Sequence, residues 1–166
     1  VGDVLAVSGE TGRAARGLSR LFRDGVDDRG EPDRAATVTS GADTDPDVGR
    51  QRRPVPPIAD GPLAAQTGAT AMLDLSDGLA IDAGRLARAS RVTLEIDAEA
   101  ELDDAALHGG EDHGLLATFP ADVVLPGGFR RIGVVRERGD ADLLRAGSPV
   151  PTTGWDPYAD WDGAAG

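Results

Sequence analysis

Two short apolar runs in this chain are each followed by a segment with helical periodicity, and this succession most constrains the fold. The run Val4–Ser8 precedes apolar residues that recur about every 3.6 positions from Thr11 onward. The run Ala71–Leu75 precedes a turn and a second such segment from Leu79. Further strands are predicted at residues 92–96, 114–119, 132–136 and 142–145. Strands that alternate with helices predict an α/β (α+β) two-layer sandwich, in which helices pack on a mixed β-sheet.

Local patterns predict which residues of the helices face the core. The first helix should begin at Thr11, end at Gly25 and bury one apolar face, consisting of Ala14, Leu18, Leu21 and Phe22. The second should bury Leu79, Ala83, Leu86 and Ala87 and leave three polar residues outside, namely Asp82, Arg85 and Arg88. A modest helix is expected at 58–66, and a hairpin-like turn at 138–140 should join the last two strands.

One folded domain is expected over residues 1–158, because a chain of 166 residues with 40% hydrophobic content can bury its own core. A mobile acidic loop is predicted at about 24–53, where large apolar residues are almost missing and cannot offset the entropy of ordering. Residues 159–166 should form a frayed tail.

Composition excludes several classes of function. A net charge of −12, with basic residues that are all arginine and scattered, argues against a nucleic-acid-binding surface. The absence of cysteine excludes disulfides, thiolate metal sites and cysteine nucleophiles, and the absence of lysine excludes a Walker-type phosphate loop. Since neither a secretory leader nor a membrane-spanning run is present, a cytoplasmic protein without membrane contact is expected.

The motif with most chemical content is Asp-Leu-Ser-Asp-Gly at residues 74–78, where a predicted strand ends and a helix begins. The carboxylates of Asp74 and Asp77, the hydroxyl of Ser76 and free backbone amides would share a small space. Hard cations prefer oxygen ligands, and helix N-termini bind anionic oxygens. This motif therefore predicts a Mg²⁺ and phosphate site. The structural alternative is that Asp77 caps the helix and Asp74 is a solvated residue at a strand end.

A second motif, His-Gly-Gly-Glu-Asp-His, occupies residues 108–113. Paired glycines allow close approach of the backbone, and Glu111 or Asp112 could bind a cationic or hydrogen-bonding ligand; the alternative is an ordinary glycine-rich turn. A metal site at the two flanking histidines is disfavoured, because cysteine and a helical His-x-x-x-His pair are missing. Near the end, Trp155 could stack on a flat heteroaromatic ligand or cover the core.

Taken in order, these segments resemble the carboxy-terminal domain of thiamine-monophosphate kinases, in the superfamily that includes aminoimidazole ribonucleotide synthetase. The similar segments are residues 2–9, 72–79, 109–112 and 154–156. Ser-Asp-Gly at 76–78 is typical of the kinase branch, since other members carry Thr-Gly-Gly or a similar triplet after the aspartate. The chain departs from the family at residues 113–114, where His-Gly stands in place of Tyr-Glu, in a short 96–109 segment and in a long 24–53 loop.

The resemblance implies a Mg²⁺-dependent phosphotransferase of thiamine diphosphate biosynthesis, which converts ATP and thiamine monophosphate to ADP and thiamine diphosphate. By the family pattern, Asp74 and Asp77 would bind Mg²⁺ and Ser76 would contact ATP. Glu111 would contact thiamine monophosphate, and Trp155 would pack on the thiamine. No covalent nucleophile or general base is expected, because the acceptor is already a phosphate anion.

Family members also carry an amino-terminal domain that supplies most of the Mg²⁺-binding aspartates and much of the dimer contact. The present chain begins at the first strand of the second domain, so we expect it to be inactive alone and homodimeric only with that domain. Two alternatives remain open: a non-catalytic or degenerate ligand-binding module, and another ATP-dependent enzyme of the same superfamily.

Overall fold

The structure, a computed structural model, describes residues 1–24 and 45–154. Within these ranges, seven strands form one sheet: β1 Val4–Ser8, β2 Ala71–Leu75, β3 Thr93–Ile96, β4 Gly114–Phe119, β5 Arg130–Arg136, β6 Leu143–Arg145 and β7 Ser148–Pro149. The helices of the same ranges are α1 Arg13–Asp24, α2 Pro46–Arg52, α3 Asp60–Gln66, α4 Leu79–Ser90 and α5 Asp104–His108. The strand order is β2-β4-β1-β5-β3-β6-β7, and neighbours are antiparallel except for the parallel pair β3 and β6.

Strand β1 lies inside the sheet and is buried along its whole length. Because side chains alternate along a strand, Leu5 and Val7 face one core and Val4 and Ala6 face another. Helices α4 and α5 cover the first face, while α3 and the segment after β4 cover the second. Burial on both faces explains why the first four residues of β1 are all apolar. The mixed sheet with packed helices confirms the predicted fold class.

The predicted loop at 24–53 is wrong over its last part, where Pro46–Arg52 forms helix α2. Asp45 caps this helix by accepting hydrogen bonds from the amides of Asp47 and Val48, and proline suits its first turn. The helix packs on α1, with Val48 buried. Composition failed as a guide because a side-chain cap and packing, not apolar content, stabilise this helix. Residues 25–44 of the predicted loop and the predicted tail at 159–166 lie outside the described residues.

The predicted hairpin between the last two long strands is also wrong. Strand β3 lies between β5 and β6, pairing antiparallel with the first and parallel with the second. The connection is tied to β3 by Thr93, whose hydroxyl accepts a hydrogen bond from the Gly139 amide at 2.9 Å. Inserting β3 satisfies backbone groups on both of its edges, which a local turn pattern cannot reveal. Helix α5 and strand β7 were not predicted.

Three expectations about burial need correction. In α1, Leu18 and Phe22 are exposed, because the helix contacts α2 through Gly17 rather than through the wider apolar stripe. Strand β2, expected to be buried, is a half-buried edge strand with Met72 exposed. In α4 the predicted apolar face is correct, but Asp82 is buried rather than outside. Among the described residues, no helix is long and apolar enough to cross a membrane.

Candidate functional site

The turn between β2 and α4 is organised by Asp82, a buried carboxylate in the first turn of α4. One of its oxygens accepts hydrogen bonds from the backbone amides of Ser76 and Asp77, each at 3.2 Å. Its side chain is 2% exposed. The prediction of free amides in this turn is therefore wrong for these two residues. The protein itself supplies the anion that a helix N-terminus attracts.

Arg85, one turn further along α4, joins the two acidic side chains of this site. Its Nη1 lies 2.5 Å from Asp77 Oδ2 and 2.6 Å from Asp82 Oδ1. Hydrogen bonding to Asp77 raises the pKa of Arg85. Burial raises the pKa of Asp82, and the Asp77 amide and Arg85 oppose that rise. The guanidinium of Arg85 thus already lies beside the Asp77 carboxylate, a group that could otherwise bind a metal cation.

Asp77 does not cap the helix. The N-cap of α4 is Gly78, whose φ of 122° is open to glycine but strained for other residues, and which has no side chain that could cap the helix. An added Cβ at Gly78 would lie 3.1 Å from the carbonyl oxygen of His108, so α4 begins in close contact with the end of α5. The structural alternative considered for Asp77 is therefore wrong as a cap, although its ion pair with Arg85 is a structural role.

Asp74 lies on the other side of the sheet end. Its neighbours Leu73 and Leu75 pack in the core beneath α4, so alternation turns Asp74 toward the opposite face. Its side chain is exposed and makes no hydrogen bond or ion pair with the described part of the chain. In the same ranges no group of three or more histidine, aspartate or glutamate residues could hold a metal ion. Asp74 and Asp77 are near in sequence but face different sides.

The carboxylate oxygens of Asp74 and Asp77 are nevertheless of the type that Mg²⁺ prefers, and each could give one ligand to the ion. Mg²⁺ keeps several waters and is bound through one or two carboxylates together with substrate phosphates. The carboxylate of Asp77 is partly exposed and paired with Arg85, and the carboxylate of Asp74 is exposed to solvent. Each could therefore donate one ligand to a cation whose remaining ligands come from elsewhere, while a chelate made by the two together does not fit this conformation.

The glycine-rich motif packs directly on this turn. The amide of Glu111 donates a 2.8 Å hydrogen bond to the carbonyl of Ser76, and an added Cβ at Gly110 would lie 2.7 Å from the same oxygen. Glu111 has a φ of 73°, a left-handed conformation that is uncommon outside glycine. Its side chain is 56% exposed and lies 3.5 Å from the Nε2 of His113. The structure thus brings the backbones of Glu111 and Ser76 into contact.

Asp112 has a structural role that the motif alone left open. Its carboxylate accepts hydrogen bonds from the amides of Gly12 and Ala14, at the start of α1. Burial raises its pKa, and these two amides oppose the rise. Of the two acids considered at this motif, Asp112 is therefore committed to holding α1, and Glu111 is the one whose side chain remains accessible.

The described chain ends beside the same turn. Gly154 packs against the carbonyl of Asp77 and against Ile81 of α4, leaving no room for a Cβ. His108 Nδ1 lies 3.1 Å from the carbonyl oxygen of Thr153, so this histidine holds the last described residues beside the turn. Trp155 lies outside the described residues.

Sequence reasoning missed Asp82 and Arg85, although one signal was available. Asp82 follows Leu79 by three positions and precedes Leu86 by four, which puts it on the apolar face of α4. A carboxylate on such a face in a first helical turn predicts hydrogen bonds to the preceding backbone amides.

A model of the family described as AIR synthase related protein, C-terminal domain, matches residues 1–124. The chain belongs to this family. This AIR synthase related C-terminal domain is similar to known enzymes. It is 36% identical to the thiamine-monophosphate kinase of Mycobacterium tuberculosis, over 96% of this chain and 46% of that relative. It is 34% identical to the enzyme of the same name from Corynebacterium glutamicum, over 93% of this chain and 48% of the relative.

Solved structures agree with this family. AaThiL complexed with AMPPCP and TMP matches with a TM-score of 0.69 at 30% identity, over 93% of this chain and 51% of that one. The chain thus spans about half the length of the relatives that it matches. The resemblance to the carboxy-terminal domain of thiamine-monophosphate kinases, inferred above from four short segments, is confirmed.

Proposed function

We propose that this chain is the carboxy-terminal half of a thiamine-monophosphate kinase, which transfers the γ-phosphoryl group of ATP to thiamine monophosphate and yields ADP and thiamine diphosphate. The observation that carries the proposal is the hydrogen bond from Glu111 to Ser76, because it joins the two motifs that the family pattern assigns to different substrates. The similarity to relatives of that name, and to a structure with AMPPCP and TMP, supports it.

The proposed roles follow the chemistry of each group. Ser76 offers its hydroxyl to a phosphate of ATP, since its amide is already bonded to Asp82. Glu111 presents an exposed carboxylate to thiamine monophosphate, and Trp155, next in sequence after Gly154, packs on the thiamine. No residue acts as covalent nucleophile or general base. The reaction depends on neutralising charge and on aligning donor and acceptor phosphates.

Asp74 and Asp77 are proposed to contribute carboxylate ligands to Mg²⁺. The ion would supply the positive charge that polyphosphate transfer requires. Because these carboxylates face different sides of the sheet end, each would complete a coordination shell with groups from elsewhere, and an amino-terminal half is the proposed source. The complete enzyme would be a cytoplasmic homodimer.

The test of this function is ADP formation with thiamine monophosphate, ATP and Mg²⁺. We expect no turnover from the 166 residues alone, and turnover after addition of the amino-terminal half of the M. tuberculosis relative. Glu111→Gln should then lower kcat/KM for thiamine monophosphate by about tenfold or more, as the loss of a charged hydrogen bond predicts. Asp122→Asn, a matched change at an exposed acid, should have no effect. Turnover by the chain alone, or equal effects of the two variants, would contradict the proposal.

A second candidate is a non-catalytic ligand-binding module, favoured by the engagement of Asp77 with Arg85 and by the lack of a three-carboxylate cluster in the ranges 1–24 and 45–154. Calorimetric titration with thiamine monophosphate, ATP and Mg²⁺ separates the candidates when the two halves are mixed: binding without turnover indicates a module. Consumption of ATP with a different phosphoacceptor would instead indicate another enzyme of the superfamily.

A further inference from the structure

The ion pair between Arg85 and Asp77 lies at the carboxylate to which a metal ion is assigned above. A single nitrogen of Arg85, Nη1, contacts Asp77 Oδ2 and Asp82 Oδ1. The three groups together carry two negative charges and one positive charge. One negative charge is thus left unbalanced, which favours the approach of a further cation to this turn.

The two carboxylates differ in how firmly they are held. Asp82 is buried, and its oxygens bond two backbone amides and Arg85. Asp77 is partly exposed, and Arg85 is the partner of its carboxylate. Arg85 is itself 42% exposed, which leaves space for its guanidinium to move. When the contacts of Arg85 change, the bond to Asp82 should persist and the bond to Asp77 should open.

From this geometry we infer that Arg85 is a positioning residue that holds Asp77 in place of a metal ion, and that a divalent cation binds Asp77 only by displacing the guanidinium. The inference rests on the proposed function, because it takes Asp77 as a metal ligand. Competition arises because a cation on Asp77 Oδ2 would lie within repulsive range of Nη1. Asp82 keeps Arg85 beside the turn, so the exchange is reversible.

The consequence is that Arg85 lowers the affinity of the turn for divalent cations while keeping Asp77 ordered. Removal of its charge should tighten cation binding by about 1.5-fold to fivefold, the range expected for a partly exposed ion pair. The gain should shrink at high ionic strength, because salt screens the competing charge. Arg85→Lys, which keeps the charge, should bind the cation close to the wild-type level.

The experiment is a titration of the 166-residue chain with Mn²⁺, followed by paramagnetic broadening of backbone amides in ¹H–¹⁵N NMR spectra. Broadening should be centred on residues 76–78, and the dissociation constant should fall in Arg85→Gln. The matched control is Arg88→Gln, which removes the same charge one turn further along α4, where the partner is Asp142. Asp77→Asn should abolish the broadening at the turn.

An unchanged or weaker affinity in Arg85→Gln relative to Arg88→Gln overturns the inference and leaves the proposed function intact. Absence of broadening at the turn in every variant overturns the inference for this chain, while the proposed function keeps its own test in the mixture of the two halves. If Arg85→Gln fails to fold, a Mg²⁺ titration of the wild-type protein tests the inference instead. Mg²⁺ should shift the Arg85 Nε resonance together with the Asp77 amide, and a shift of the amide without Arg85 overturns the inference.

Discussion

The amide nitrogen of Glu111 lies 2.8 Å from the carbonyl oxygen of Ser76 and donates a hydrogen bond to it. This contact spans 35 residues of sequence, the difference between 111 and 76, and connects the turn after β2 to the segment that precedes β4. Since β2 and β4 are paired in the sheet, their adjacent ends bring the two motifs together. The site is thus a consequence of strand pairing, and its geometry can be tested by perturbing that contact.

Gly110→Ala should weaken this connection. The new Cβ would lie 2.7 Å from the Ser76 carbonyl oxygen, a backbone atom that can move only with the whole turn. We expect the free energy of unfolding to fall by about 1–3 kcal/mol, as for other overpacked sites. Urea denaturation measures the change. Gly139→Ala is the control, because its Cβ would make only an ordinary 3.6 Å contact with Thr93; equal effects of the two variants would show that the two motifs are not in close contact.

Asp82→Asn should loosen the turn that carries Ser76 and Asp77. The asparagine oxygen can still accept both backbone hydrogen bonds, but as a neutral and weaker acceptor, and its NH2 group then faces Arg85 and leaves that cation with one partner fewer. We expect a loss of about 1–3 kcal/mol in the free energy of unfolding, together with faster hydrogen exchange at the Ser76 and Asp77 amides. Asp122→Asn again serves as control. Unchanged exchange at these amides would mean that Asp82 does not hold the turn.

Gly17→Ala tests the packing of α1 on α2. Alanine normally stabilises a helix relative to glycine by about 0.5–1 kcal/mol. Here its Cβ would lie 2.1 Å from the carbonyl oxygen of Asp47, so we expect destabilisation instead. Gly49→Ala on α2, where the Cβ meets open space, should stabilise the protein. Thermal unfolding measures both signs, and stabilisation by both substitutions would contradict the contact between these helices.

The stability of the protein should depend on pH through Asp142. Hydrogen bonds from Arg138 and Arg88 lower the pKa of this carboxylate below its ordinary value of 3.8. A lowered native pKa means that the unfolded chain binds the proton more readily. The stabilisation is therefore present above the ordinary pKa and is lost as pH falls through the native value.

Asp142→Asn should consequently destabilise the protein at pH 7 and have a smaller effect at pH 2, as measured by urea denaturation at each pH. Asp140→Asn, a neighbouring exposed carboxylate, should change neither value. A difference between wild type and Asp142→Asn that persists unchanged at pH 2 would show that charge is not the source of the stabilisation.

Much of the fold could be predicted because the spacing of apolar residues along the sequence indicates whether a segment is a helix or a strand. The run Val4–Ser8, the strand Ala71–Leu75 and the apolar face of α4 were all evident from their patterns. The errors share a cause. Helix α2 depends on a cap and on contact with α1, and the position of β3 between β5 and β6 depends on long-range pairing. Neither leaves a clear periodic signal in the residues concerned.

By itself, then, the sequence determined the residue types at the site and their order: an acid, a hydroxyl and a second acid at a strand-to-helix junction, followed later by a glycine-rich acidic motif. Tertiary structure alone decided which of these groups are free to act. It committed Asp112 to the start of α1, turned Asp74 and Asp77 to different sides, and occupied the amides of the turn with Asp82. The reason is that a polar group taken out of water must find a partner, and the partner that it finds depends on what the folded chain brings within hydrogen-bonding distance.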